Sequence, residues 1–154
     1  MIIVRSGKEI ARLISQIIDT NIVLDILYNR KPFVIDSLNV FRLCETKKIE
    51  GYISTLFIAN IIYILRKELN NNKIKEILEK LSHILKIVDL IENDLKKACT
   101  FEYKDYEDAV QTVQADRVKS QYIISRNQTD FINKHLKVIS PREFIESIYV
   151  LNEI

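Results

Sequence analysis

The sequence predicts an α/β domain with a mostly parallel central sheet of four to five strands and helices on both faces. Three observations predict it. Short β-branched runs alternate with longer helical patterns from residue 17 to the end. Only two Gly and two Pro occur in 154 residues, too few for the many tight turns of an all-β protein. Apolar residues make up 47% and charged residues 29%, the balance of a globular chain long enough to bury one core.

Residues 1–16 read as an N-terminal extension, with Ser6 and Glu9 at capping-box spacing ahead of the apolar Ile10, Leu13 and Ile14. The domain proper is placed at residues 17–147, and residues 148–154 finish its last helix. Ile17-Ile18 reads as a buried strand that ends at Asp19 and feeds a helix to about Asn29. Arg30-Lys31-Pro32 breaks that pattern. Val34 to Lys47 follows as an amphipathic helix with Leu38, Phe41 and Leu43 on its apolar side. Glu50 to Ser54 is a strand after a Gly turn. Thr55 to Leu69 is a strongly apolar helix, with Leu56, Ile58, Ala59, Ile62 and Leu65 mostly core. Asn70-Asn71-Asn72 turns into a helix over Lys73 to Leu85, Lys86 to Leu90 is a strand, and Glu92 to Thr100 a helix. Asp105 to Lys119 is helical with Ala109, Val110, Val113 and Ala115 inward. Gln121 to Ser125 and Val138-Ile139 are the last strands. Ser140 caps a final helix that has Pro141 in its first turn.

Several function classes are disfavoured at once. A net charge of +2 does not by itself imply a nucleic-acid binder; basic side chains would have to cluster on one face. Cys44 and Cys99 have no C-x-x-C context, and His83 and His135 have no ligand-spaced neighbours, so neither a disulfide nor a zinc site is expected. The longest apolar run, Thr55 to Leu65, contains Asn60 and is too short to span a bilayer. The expected protein has no membrane segment and is cytoplasmic.

Three acids fall where strand ends should meet. Asp19 ends the first strand, Asp108 lies in the first turn of the Asp105 helix, and Asp130 follows the Tyr122–Ser125 strand. In a doubly wound sheet such positions converge at the switch point where ligands bind. Carboxylates held close repel, and a divalent cation removes that penalty. Oxygen ligands with water sites remaining suit Mg²⁺ or Mn²⁺. Such a centre ionises water and stabilises charge developing on a phosphodiester. Ser125 and Asn127 would add neutral contacts, and Arg126 would hold a neighbouring phosphate. Each acid also has a plainer reading: Asp19 or Thr20 as a helix cap, Asp108 as a first-turn acid suited to the helix dipole, and Asp130 as a loop cap.

The motifs Ile18-Asp19-Thr20-Asn21, Arg30-x-Pro32-Phe33, Gly51-Tyr52-Ile53-Ser54, Lys104-Asp105-Tyr106-Glu107-Asp108-Ala109 and Ser125-Arg126-Asn127-x-x-Asp130-Phe131 appear in one order over residues 17–147. In that order they resemble the PIN domain family, the first acid and the Arg-Asn-x-x-Asp-Phe loop being the more specific pair. The resemblance implies a three-layer α/β/α fold and a Mg²⁺- or Mn²⁺-dependent ribonuclease. Many members are toxins of type II toxin–antitoxin pairs, as in VapC-type toxins. It makes Asp19, Asp108 and Asp130 metal and catalytic acids, with Asn127 beside them. It also implies RNA and a cognate antitoxin as partners. The sequence departs from the family at its second acid, usually a Glu, where Asn60 stands. An amide binds Mg²⁺ through oxygen or water but adds no charge, so metal affinity should be lower.

Asn60 lies in the most apolar helix, and a buried amide without partners costs ~1–3 kcal/mol, so it is expected to face a polar cavity or bond backbone. Glu107, beside Asp108 on a helix, should point elsewhere. Around a cleft of acids, Arg30, Lys31, Lys104, Arg126, Lys134 and Lys137 are rim candidates for RNA, and Tyr28, Tyr52 and Tyr106 are candidates to stack on bases. The apolar surface of the helices between Val34 and Leu85 suggests a homodimer face or an antitoxin groove. The leading reading is hydrolysis of RNA. The alternative is a catalytically weakened PIN-like module that binds RNA or a protein. A phosphoaspartate hydrolase ranks third, because Asp19-Thr20-Asn21 lacks the usual second acid two residues on.

Overall fold

The computed structural model describes residues 15–102, 105–127 and 136–152. Among them, the strands are β1 (Ser15–Ile18), β2 (Glu50–Ser54), β3 (Lys86–Val88), β4 (Tyr122–Ile124) and β5 (Lys137–Ile139). The helices are α1 (Thr20–Leu27), α2 (Val34–Glu45), α3 (Thr55–Leu65), α4 (Asn71–Ile84), α5 (Glu92–Ala98), α6 (Tyr106–Arg117) and α7 (Pro141–Asn152). The strand order is β3-β2-β1-β4-β5, and every neighbouring pair is parallel.

β1 occupies the middle because its residues tolerate burial on both faces. Gln16, Ile17 and Ile18 are all fully buried, as a central parallel strand requires. On one face Ile18 and Ile53 meet Ile22, Phe41, Phe57, Ile61 and Phe144, so α1, α2, α3, α4 and α7 form a layer there. On the other face Ile17 and Ile123 pack against Ala115 of α6. Ala98 of α5 packs with Ala109, Val110 and Val113 of α6. The result is the three-layer α/β/α arrangement expected from the strand–helix alternation, and the inward set of α6 is the one expected.

The chain first builds outward from β1 to β2 and β3, then returns through α6 to the opposite side of β1. The order of the sheet therefore reverses between β1 and β4. There Ile18 pairs with Ile124, which sets the next residues of the two strands, Asp19 and Ser125, side by side. That edge is where a parallel sheet offers a crevice to ligands.

Three sequence expectations are corrected. α3 buries Phe57, Ile61 and Leu65, while Ala59 and Asn60 are exposed and Leu56, Ile58 and Ile62 are only part-buried. Five helices share that face of the sheet, and α3 shows the core a single stripe at spacing four. α2 likewise buries Val34, Val40, Phe41 and Cys44 and leaves Leu38 exposed. Gly51 lies inside β2 rather than in a turn before it. A Cβ on Gly51 would stand 2.6 Å from Cys44 Sγ and 2.7 Å from Leu85 Cδ2, so the residue serves close packing of α2 and the end of α4 on the strand. Burial pushes the Cys44 thiol up to about 12, so it stays protonated and acts as a small core residue, whereas Cys99 is exposed. Among the described residues no helix is long and apolar enough to cross a membrane.

At the opposite edge of the sheet a polar ladder crosses three strands. Glu50 accepts from Tyr52 Oη at 2.9 Å, from Ser15 Oγ at 3.3 Å and from Lys86 Nζ. Burial raises the Glu50 carboxyl, but the hydrogen bonds from Lys86 and Tyr52 and the Lys86 charge outweigh it and hold the group below its ordinary range.

Two outcomes follow for stability. Gly51→Ala overpacks the Cys44–Leu85 contact and is expected to lower unfolding free energy by about 1–3 kcal/mol, measured by urea denaturation. A depressed carboxyl stabilises the fold above its unfolded pKa, and that contribution disappears as pH falls through the lower folded value. Acid unfolding monitored by circular dichroism should therefore be less steep below about pH 4.5 in Glu50→Gln than in the wild type.

Candidate functional site

Asp19 is held by backbone and side-chain bonds at the reversal point. Its N–H donates to Ile124 O at 3.0 Å, extending the β1–β4 ladder by one residue. Its extended backbone then caps α1, and Oδ1 accepts from Thr20 N at 2.7 Å. Oδ2 accepts from Ser125 Oγ at 2.6 Å and from Asn21 Nδ2 at 3.0 Å. Asn127 N donates to Ser125 Oγ at 3.1 Å, and Asn21 Nδ2 lies 3.4 Å from the same oxygen. The cap reading of Asp19 is borne out: one oxygen starts the helix, and the other accepts from the Ser125 side chain at the end of the partner strand.

Two further oxygens lie next to this carboxylate in sequence. Thr20 Oγ1 and Asn21 Oδ1 are buried and have no protein partner. Buried polar oxygens are ordinarily satisfied, so an orphaned pair beside a carboxylate marks a place for water or a hard cation. All the donors here are oxygen, the set that suits Mg²⁺ or Mn²⁺ rather than zinc.

Asp108 lies in the first turn of α6. α6 carries the chain back toward the start of β4, so it runs against the strands and begins near their carboxyl ends. Ala115, late in the helix, lies on Ile17 and Ile123, while Ala109, early in it, belongs to the cluster with Ala98, Val110 and Val113 against which Leu56 of α3 packs. Asp105 caps α6 by accepting from Glu107 N at 2.8 Å, which leaves Asp108 half-buried in the first turn. Glu107 is exposed, as expected of its helical position.

Asn60 differs from expectation. It occupies the second turn of α3 on the exposed side, beside Ala59 and Tyr63, and neither lines a buried polar cavity nor bonds backbone among the described residues. Lys104, Asp130 and Lys134 lie outside the described residues, as do all of residues 128–135. Among the described ones, no group of three or more His, Cys, Asp or Glu comes together.

The basic residues divide. Arg126 does not lie open to the cleft: Nε donates to Asp25 Oδ2 at 2.6 Å and Nη2 to Asp25 Oδ1 at 2.9 Å. Its Cζ also stands 4.1 Å from the centroid of the Phe33 ring. Arg30 is more exposed, its Nη1 3.7 Å from Asp25 and its Cζ 5.3 Å from the Tyr28 ring centroid. Tyr52 is occupied by Glu50, and Tyr106 is exposed with its hydroxyl donating to Leu95 O at 2.9 Å. Sequence reasoning missed two contributors. Asn21 enters the sequence reading only as the last residue of the Ile18-Asp19-Thr20-Asn21 motif, with no role of its own. Asp25 was passed over, although a lone acid inside Ile22-Val23-Leu24-Asp25-Ile26 is a visible signal of a paired buried charge.

Comparison with known proteins identifies the family. Residues 15–129 match the family model described as the PIN domain. Ribonuclease VapC1 of Aquifex aeolicus is 25% identical over 134 residues, covering 84% of this chain and 92% of that protein. A toxin–antitoxin complex from Klebsiella pneumoniae superposes with a TM-score of 0.64 at 20% identity, over 82% of this chain and 97% of that one. DNA-bound VapBC from Salmonella typhimurium gives a TM-score of 0.63 at 14% identity, over 84% of this chain and 99% of that one. With its sheet order, its acid at the reversal point and a family match across most of its length, the chain belongs to the PIN domain family.

Proposed function

We propose that this protein is a Mg²⁺- or Mn²⁺-dependent ribonuclease that hydrolyses RNA phosphodiester bonds as the toxin of a type II toxin–antitoxin pair in the cytoplasm. The observation that carries the reading is the Asp19 carboxylate, fixed by Ser125 and Asn21 at the switch point beside two orphaned oxygens. Asp19, Asp108 and Asp130 would hold the ion. Thr20, Ser125 and Asn127 would support them, and Asn60 would contribute only an uncharged oxygen from the rim. A bound divalent cation supplies a water of lowered pKa and charge stabilisation at the phosphate.

The chain's own residues do the rest. Ser125 and Asn21 point Asp19 Oδ2, so the acid does not need to reorganise when ligand arrives. Arg30 and Lys104 are the proposed phosphate contacts, because an acidic centre repels RNA unless its rim is basic. Tyr106, exposed one turn ahead of the α6 interior, offers a stacking face for an unpaired base.

The exposed apolar residues Phe33, Ile35 and Leu38 at the start of α2 suit an apolar antitoxin segment, and a homodimer is proposed through the remaining apolar helix surface. The Ribonuclease VapC1 similarity supports the catalytic half of this proposal, and the toxin–antitoxin likeness supports the partner half.

A second reading has one observation in its favour. The family's second acid is replaced by Asn60, so the site carries one negative charge fewer and would hold a cation weakly. On that reading the protein binds RNA or a partner without cutting.

Two experiments separate these outcomes. Cleavage of a structured RNA in Mn²⁺ should be lost with EDTA and fall on the order of 100-fold in Asp19→Asn and in Asp108→Asn, with unchanged circular dichroism. Cleavage that survives both substitutions refutes the ribonuclease assignment to this site. Asn60→Glu should strengthen Mn²⁺ binding in titration calorimetry by about tenfold and raise cleavage with it. Tighter binding with no cleavage in either form favours the binding module.

A further inference from the structure

Asp25 is the most completely buried carboxylate near the site, its side chain 0% exposed, yet it is too far along α1 to join Asp19 as a ligand. A carboxylate in that position carries a heavy desolvation penalty unless paired with good geometry. The pairing it has is bidentate, with Arg126 presenting its Nε–Nη2 edge to both oxygens at 2.6 and 2.9 Å. The other partner of that guanidinium is the Phe33 ring at 4.1 Å, at the start of α2. Arg126 is therefore bound on an edge and on a face, and its side chain is only 25% exposed.

The neighbours of Arg126 in the chain give this arrangement its meaning. Ser125, one residue earlier, donates the 2.6 Å bond that aims Asp19 Oδ2, and Asn127, one residue later, donates to the same serine oxygen. β4 ends at Ile124, and beyond it Ser125 N donates to Ile139 O of β5 at 3.0 Å before the chain leaves the sheet. Asp19 caps α1, which carries Asp25 about one and a half turns on. The Asp25–Arg126 fork thus closes a ring: Asp19, α1, Asp25, Arg126, Ser125, and back to Asp19.

We propose that Asp25 and Arg126 are positioning residues, a strap that clamps the end of β4 onto α1 and α2 and so fixes the Ser125 hydroxyl against the Asp19 carboxylate. Arg126 is spent on this and is not the phosphate contact expected from the sequence. With its charge cancelled by Asp25, the excess positive charge of the cluster resides on Arg30, whose side chain is 43% exposed and only 3.7 Å from the same acid. The strap rests on the metal-site reading for its consequence but not for its existence, and the test keeps the two apart.

Arg126→Lys retains a charge for the buried acid but loses the fork and the flat face over Phe33, and Asp25→Asn keeps the shape and removes the charge. Full-length wild type and both variants would be studied by amide hydrogen exchange, urea unfolding and Mn²⁺ titration calorimetry. The proposal expects exchange at Asn127 and Thr20 to accelerate by clearly more than the loss of global stability accounts for. It also expects Mn²⁺ affinity to fall about tenfold, the effect typical of groups that orient a ligand from behind. In Asp25→Asn combined with Arg126→Gln, which leaves no buried charge unpaired, the unfolding midpoint should recover while the exchange and the affinity do not. A merely structural pair would lower stability in the single variants with local exchange tracking it and Mn²⁺ affinity unchanged, and that result overturns the proposal. If wild type binds no Mn²⁺ at millimolar concentration, the metal reading fails, and the exchange at Asn127 and Thr20 alone decides the strap. If Asp25→Asn does not fold, Arg126→Lys carries the same three measurements.

Discussion

The bond from Ser125 Oγ to Asp19 Oδ2, 2.6 Å long, is the constraint on which the polar end of this protein depends. It joins two strands that are neighbours in space and more than a hundred residues apart in sequence, at the point where the sheet order reverses. Everything upstream of it is apolar packing. Ile17 and Ile18 must be buried on opposite faces for Asp19 to emerge at the edge in register with Ser125, and the parallel Ile18–Ile124 pairing sets that register. A slip of one residue would turn Ile18 toward the α6 layer and move the carboxylate off its partner.

The same end of the sheet also resolves an apparent competition. Helix N-caps and metal-site acids draw on the same residue types, so Asp19 looks ambiguous as a sequence letter. The two oxygens of a carboxylate remove the conflict. Oδ1 meets the first backbone N–H of α1, and Oδ2 is left to the Ser125 and Asn21 side chains. Asp108 stands differently. Its helix is capped by Asp105, three residues earlier, so the first-turn acid is not needed as a cap.

Much of the fold was legible because it follows from periodicity. The alternation of β-branched runs with helical patterns gave the parallel sheet, and the inward residues of α6 were read correctly from spacing alone. Asp19 and Ser125 were also legible, as polar residues that end apolar strands. What was not legible depended on tertiary competition for the core. α3 is apolar nearly all round, so its sequence does not say which stripe faces inward; crowding by α1, α2, α4 and α7 decided for Phe57, Ile61 and Leu65 and turned Asn60 outward. The placement of Arg126 was hidden for a different reason. Its partner lies 101 residues away, and nothing local distinguishes a guanidinium that meets a phosphate from one that meets a buried acid.

That distinction matters for how the charges at this end are shared. Burying Asp25 with Arg126 is a poor way to gain stability, because removing two ions from water costs much of what their attraction returns, and a well-packed apolar pair of similar size would serve as well. An apolar pair, however, would hold the β4 terminus without fixing its rotation. A two-pronged bond fixes distance and plane together, and the stacked Phe33 ring restricts the third direction. The requirement for direction comes from Ser125, whose hydroxyl must reach one oxygen of Asp19 while accepting from Asn127. Asn60 is uncharged and exposed, so on the proposed metal reading few acids would attract a cation. On that reading affinity would depend on how accurately those few are aimed, which is the property that a buried, geometrically exacting ion pair supplies and a softer contact does not.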